Sequence, residues 1–228
     1  MHNHKEKHLT SSQLIRDIVI GMSDGLTVPF ALAAGLSGAV TSTSIITTAG
    51  IAEIVAGSIA MGLGGFLAGQ SDINHYDAEL KREYEEVERV PEIEKAEVKE
   101  IFAVYGLSET SQDLIVEELA KDKEKWVEFM MKNELGLEKP DANQATKSAL
   151  TIGISYIVGG IIPLMPYFLT KNVTNGLIYS CFTTILCLFV FGYFKSKVTG
   201  QPPFIGAIKV TAIGALAAGA AFFIAKII

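Results

Sequence analysis

The chain has 228 residues, 49% of them hydrophobic, yet 19% are charged and the formal net charge is −6. A mean hydropathy of +0.35 beside that much charge excludes an evenly mixed soluble surface, so the two must be segregated along the chain. They are: 21 acids and 11 bases give residues 71–147 a formal charge of −10, while the 4 acids and 8 bases elsewhere leave +4. The pattern is that of an all-α polytopic membrane protein with one acidic water-soluble insert, and no nucleic acid is expected as a partner. Cys181 and Cys187 lie six residues apart in an apolar run, a poor metal or redox spacing, and read as small buried hydrophobes.

Residues 1–17, opening MHNHKEKHLTSSQLIRD, are polar and carry no cleavable signal pattern. A cytosolic N-terminal segment is expected there. His2, His4 and His8 could capture metal weakly, although a polar tail is the simpler reading. A bilayer span needs about 20 mostly apolar residues. Five stretches qualify, near 18–40, 45–70, 149–169, 176–194 and 204–228. They put transmembrane helices 1 and 2 in residues 18–70, a cytosolic helical insert in 71–147, and transmembrane helices 3–5 in 148–228. Lys and Arg in the short flanks favour a cytosolic N-terminus, insert and 195–203 loop, with the C-terminus outside or in a lumen.

The first span contains GMSDGLTVPFAL, with Asp24 about two turns in; the second carries Glu53. An ionised carboxylate in a span costs roughly 2.5–3.5 kcal/mol on insertion scales, so each is by default a functional-site hypothesis. The competing reading is a pair of interface-proximal acids hydrogen-bonded to neighbouring helices. Neither span offers a cationic partner at depth, which favours an ion or proton path. Pro29 removes one backbone hydrogen bond just past Asp24. Gly21 and Gly25, like Gly65 and Gly69, form GxxxG patterns that permit close helix packing, within or between subunits. Met61, eight residues after Glu53, lies near the same helix face and offers a soft thioether, although most methionines in apolar helices are filler.

In the insert, residues 71–90 lack Gly and Pro and can prolong the second span's helix; Pro91 starts another helix, which Gly106 ends. Ser108 suits the cap of a third helix, and KEKWVEFMMKNELG forms a fourth. Ile101, Val104, Leu114, Leu119, Trp126 and Phe129 are the expected core. Glu83 and Glu86, then Glu94 and Glu97, are ExxE pairs, each placing two carboxylates on one helix face. A solvated acidic face is the bland reading. Met130, Met131 and Glu134 add thioethers and a fifth carboxylate, a mixture that suits a first-row transition metal better than Mg²⁺ or Ca²⁺. Asp72 and His75 have di-iron carboxylate/His spacing, but once where such sites need two. Walker A and HExxH patterns are absent, and no enzyme activity is expected.

Together SDGLTVPFALAAGLSGA, AGIAEIVAGSIAMGLGGFLA and FMMKNELGLEKP resemble the vacuolar iron transporter family, across residues 8–228. The five-span layout with a long insert after span two is similar to its plant-type branch, which has a cytosolic metal-binding domain; shorter nodulin-like relatives lack it. The resemblance implies a homodimer in the lipid bilayer that moves Fe²⁺ out of the cytosol in exchange for protons. It implies a vacuolar membrane in a eukaryote and a plasma membrane in a prokaryote. It assigns the path, at the dimer interface between spans one and two, to Asp24, Glu53 and Met61. It assigns metal ligands in the insert to Glu83, Glu86, Glu94, Glu97, Met130, Met131 and Glu134. No permanently bound cofactor is implied. Mn²⁺, Co²⁺ and Zn²⁺ are alternative cargoes, since carboxylates suit Mn²⁺ as readily as Fe²⁺. A membrane-anchored metal sensor or store without transport is the reading from a different class, and acids inside the spans argue against it.

Overall fold

The computed structural model describes residues 12–227, which form eight helices and no strand. They are α1 (Ser12–Ala39), α2 (Thr43–Arg89), α3 (Pro91–Val104), α4 (Glu109–Leu119), α5 (Lys123–Asn133), α6 (Gln144–Leu169), α7 (Val173–Val198) and α8 (Pro203–Ile227). Five of them, α1, α2, α6, α7 and α8, are long and apolar enough to cross a membrane. The expected spans are therefore present, each reaching a few residues beyond its apolar stretch at one or both ends. The first begins at Ser12, inside the segment read as a polar tail, and α2 runs on for 47 residues. His2, His4 and His8 lie outside the described residues.

The chain divides into two compact units. One holds α1, α2 as far as Leu67, and α6 to α8 from Ala145 onward. In it α1 packs against α7 and α8, and α7 against α8. Ala33, Ile46, Ile54, Leu164, Tyr167 and Val173 form its largest buried cluster. Hydrocarbon gives apolar side chains no reason to leave it, so close packing and interhelical hydrogen bonds must supply the cohesion. Gly21 and Gly25 show how. Gly21 lies against the Ile152 backbone and Gly25 against that of Tyr156, where an added Cβ would sit 2.9 Å from Tyr156 Cα. The first GxxxG pair thus serves contact between α1 and α6 of one chain. Pro29 stays inside a continuous α1 and deprives the Gly25 carbonyl of its usual donor. Along α2 the apolar residues Ile51, Val55, Ile59, Leu63 and Leu67 remain exposed, as a surface meant for lipid or another chain does.

The other unit spans Ala68–Gln144. Its helix ends follow local rules. Pro91 occupies the first turn of α3, where its missing N–H is no loss. Ser108 accepts from the Ser111 N–H to cap α4, and Asp122 accepts from the Lys125 N–H to cap α5. Gly106 and Gly136 take positive φ, at 78° and 65°, where the chain leaves α3 and α5. Val87, Val98, Val116, Trp126, Val127, Met130 and Met131 make the core, each large side chain contributing about 1.5–3 kcal/mol on burial. Phe102 stacks on Phe129 with ring centroids 5.3 Å apart. Three of the expected core residues fall elsewhere: Val104 and Leu114 are 86% and 66% exposed, and Ile101 is half-buried outside the packed cluster. Val104 ends α3, and in α4 it is the Gln112 and Val116 face that turns inward.

Candidate metal centre and intramembrane carboxylates

Three elements of the insert converge on one point. Glu83 comes from α2, Glu94 from the first turn of α3, and Glu134 from the cap position that closes α5. One carboxylate oxygen from each lies within 4.8 Å of the other two. The break at Pro91 makes this possible, because it turns α3 so that its first inward carboxylate meets the last inward ones of α2. Glu83 and Glu94 are only 2% and 4% exposed, and Glu83 Oε2 is buried without a hydrogen-bond partner. Such groups resist ionisation. Burial first, then the charges of Glu134 and Glu86, push the Glu83 carboxyl up to about 7. Burial, then Glu97 and Glu83, push Glu94 up to about 7 as well. Glu134 is raised too, by burial and then by Glu97.

Glu97 and Glu86 thus act on the three electrostatically. Glu86 also holds Arg82 at 3.3 Å and Arg89 at 3.9 Å, so part of its charge is already answered. Met130 and Met131 are 0% and 1% exposed and belong to the core of the same unit. Asp72 and His75 are exposed and stand outside the cluster. Carboxylate oxygens at this separation, two of them on buried residues and the third on the exposed Glu134, repel one another when ionised. A divalent cation would bring them together and satisfy the stranded Glu83 oxygen.

In the membrane unit, Asp24 on α1 and Glu53 on α2 are both half-buried. Tyr156 of α6 donates its hydroxyl hydrogen bond to Glu53 Oε1, and Glu53 Oε2 is buried without a partner. Met61 is half-buried, roughly 12 Å further along α2 at 1.5 Å per residue.

Two features escaped the reading of the sequence. Tyr156 is one of several aromatics in the apolar spans, and nothing in its local sequence singles it out. Asp17 was placed outside the first span, yet it is 2% exposed and accepts a hydrogen bond from Ser148 of α6. The signal was the seven-residue spacing from Asp17 to Asp24, which returns both to one side of a helix.

Five helices of membrane length, with carboxylates inside two of the spans and three more gathered in the insert, define a polytopic membrane protein. The VIT family model matches residues 15–226, and the chain belongs to that family. It is 52% identical over 226 residues to Vacuolar iron transporter 1 of Arabidopsis thaliana, covering 99% of this chain and 90% of the relative. It is likewise 52% identical over 226 residues to Vacuolar iron transporter 1 of Tulipa gesneriana, covering 99% and 92%. The more distant Protein CCC1 of Saccharomyces cerevisiae is 37% identical over 224 residues, covering 95% and 69%.

Proposed function

We propose that this protein transports iron across a vacuolar membrane, exporting Fe²⁺ from the cytosol in exchange for protons. Relatives named vacuolar iron transporters at about half identity support the cargo and the membrane. The observation that carries the reading is the pairing, on one chain, of half-buried carboxylates in the spans with a converged carboxylate cluster in the insert.

The insert captures the ion. Glu83, Glu94 and Glu134 supply oxygens, with Glu86 and Glu97 at the rim and Met130 and Met131 as soft ligands. Asp24, Glu53 and Met61 line the membrane path, which a homodimer would complete. At the acidic side protons compete for the carboxylates, neutralise them and release the cation, so a pH gradient drives net export. The exposed apolar face of α2 fits a subunit contact. An Mn²⁺ or broader divalent exporter shares every one of these features and differs only in cargo.

The test is uptake into acidic-interior vesicles bearing the purified protein, with Fe²⁺, Mn²⁺, Co²⁺ and Zn²⁺ offered in turn. Fe²⁺ uptake that collapses with the pH gradient is the expected result. Metal binding without uptake of any of the four would leave a sensor or store and overturn transport.

A further inference from the structure

The hydrogen bond between Tyr156 and Glu53 has a construction that simple space-filling does not require. Tyr156 is 2% exposed and sits where α1, α2 and α6 meet. On the α1 side its backbone touches Gly25; on the α2 side its ring lies over Gly57. A Cβ at Gly57 would stand 2.5 Å from the phenol oxygen, 2.6 Å from Cζ and 2.7 Å from Cε1. Any residue but glycine there displaces the hydroxyl. Gly57 is one helical turn from Glu53 on α2, so the same helix carries both the carboxylate and the slot that admits its donor.

The carboxylate is held asymmetrically. Oε1 accepts from the phenol, while Oε2 is buried and unpaired. A purely structural tyrosine on a buried acid would leave no oxygen wanting. Here one oxygen is fixed and the other is left for something that arrives. From this geometry we infer that Tyr156 is a positioning residue of the cation path, orienting Glu53 so that its free oxygen meets the passing ion.

The inference rests on the transport reading. The same helix supplies a control: Tyr167 is also 2% exposed, but its hydroxyl meets Ser37 and the Ala33 carbonyl rather than an acid. Tyr156→Phe keeps the ring in its slot and removes only the donor. Without it, the carboxylate must be ordered anew for each ion. Hydrogen bonds to charged groups are strong enough that the apparent KM for Fe²⁺ should rise about tenfold, with Vmax changing less.

The experiment is Fe²⁺ uptake into acidic-interior vesicles by the full-length chain and by Tyr156→Phe, Gly57→Ala and Tyr167→Phe. Size-exclusion profiles verify folding of each. A higher KM is expected for Tyr156→Phe and for Gly57→Ala, which keeps the hydroxyl but moves it, and an unchanged KM for Tyr167→Phe. Should Tyr156→Phe fail to fold, Gly57→Ala carries the same comparison. A KM within twofold of the unsubstituted chain's in the folded variants, or an equal rise in Tyr167→Phe, overturns the inference. Absence of uptake by the unsubstituted chain overturns the transport reading itself, and with it what rests on it.

Discussion

Glu83 of α2 and Glu94 of α3 bring buried carboxylate oxygens within 4.8 Å of each other across the break at Pro91. Burial, and then the neighbouring carboxylates, push both carboxyls up to about 7 in the folded chain, against about 4.3 for a free glutamate. Between those values the folded state holds more protons than the unfolded one. Stability of the metal-free insert therefore falls as pH rises from about 5 to about 8, the reverse of an ordinary salt-bridged acid. The chain's single tryptophan, Trp126, is in the core of that unit and reports on it. Thermal unfolding followed by its fluorescence should show a lower midpoint at pH 8 than at pH 5.5 without metal, and a smaller difference with saturating Mn²⁺. A midpoint that rises with pH in the metal-free protein would contradict the raised carboxyls.

Glu94→Gln keeps the shape and removes the charge. It should raise the metal-free midpoint at pH 8, because the repulsion with Glu83 and Glu97 disappears. It should also weaken Co²⁺ binding at least about tenfold, the usual cost of losing one charged ligand interaction. Calorimetric titration of the full-length chain reads the affinity, and Trp126 fluorescence on heating reads the midpoint. Improved stability with undiminished Co²⁺ affinity would remove Glu94 from the ligand set.

Asp24→Asn should reduce Fe²⁺ uptake into acidic-interior vesicles by more than about tenfold, because an amide neither releases a proton nor offsets a divalent charge. Binding to the insert should stay as it was, since Glu83, Glu94 and Glu134 are untouched. Uptake by Asp24→Asn at the original rate would exclude Asp24 from the path.

Gly25→Ala tests packing rather than transport. Its methyl would stand 2.9 Å from Tyr156 Cα and 3.0 Å from the carbonyl carbon, rigid backbone that has nowhere to go. Overpacking of this kind costs about 1–3 kcal/mol, so the thermal midpoint in detergent should drop by several degrees. Gly64, which faces open space, is the comparison, and its alanine variant should keep the midpoint.

Ser108→Ala removes the side-chain acceptor of the Ser111 N–H at the start of α4. A lost cap of this type costs about 1 kcal/mol, and the Trp126 midpoint should fall accordingly. An unchanged midpoint would mean that this turn does not limit the stability of the insert.

Much of this was legible in the chain because the signals are local. Apolar runs of membrane length gave the spans, Pro91 and Gly106 bounded α3, and Ser108 announced a cap. Glutamates three apart on either side of Pro91 pointed to a cluster, and one from each pair, Glu83 and Glu94, converges with Glu134 from the end of α5. Core membership was harder. Val104 and Leu114 are apolar, but their exposure depends on which side of a short helix meets α2 and α5, and that is decided by tertiary contacts. Tyr156 was illegible for the same reason, and for Asp17 the spacing to Asp24 gave the helix side but not the partner. A tyrosine in an apolar span acquires meaning only from the glycine opposite it, and an aspartate at a span's edge only from Ser148 on another helix. Pairings 131 and 103 residues apart leave no local trace.

Asp17, Gly21 and Gly25 on α1 meet Ser148, Ile152 and Tyr156 on α6, and both series advance by four residues. The two helices are engaged like toothed racks cut to one pitch. Substituting a tooth damages one contact. Deleting a single residue from either rack turns everything beyond it by about 100° and disengages every later tooth at once. Between Asp17 and Gly25, and between Ser148 and Tyr156, the chain's length is therefore as fixed a property as its composition, and changes in length belong to the turns outside.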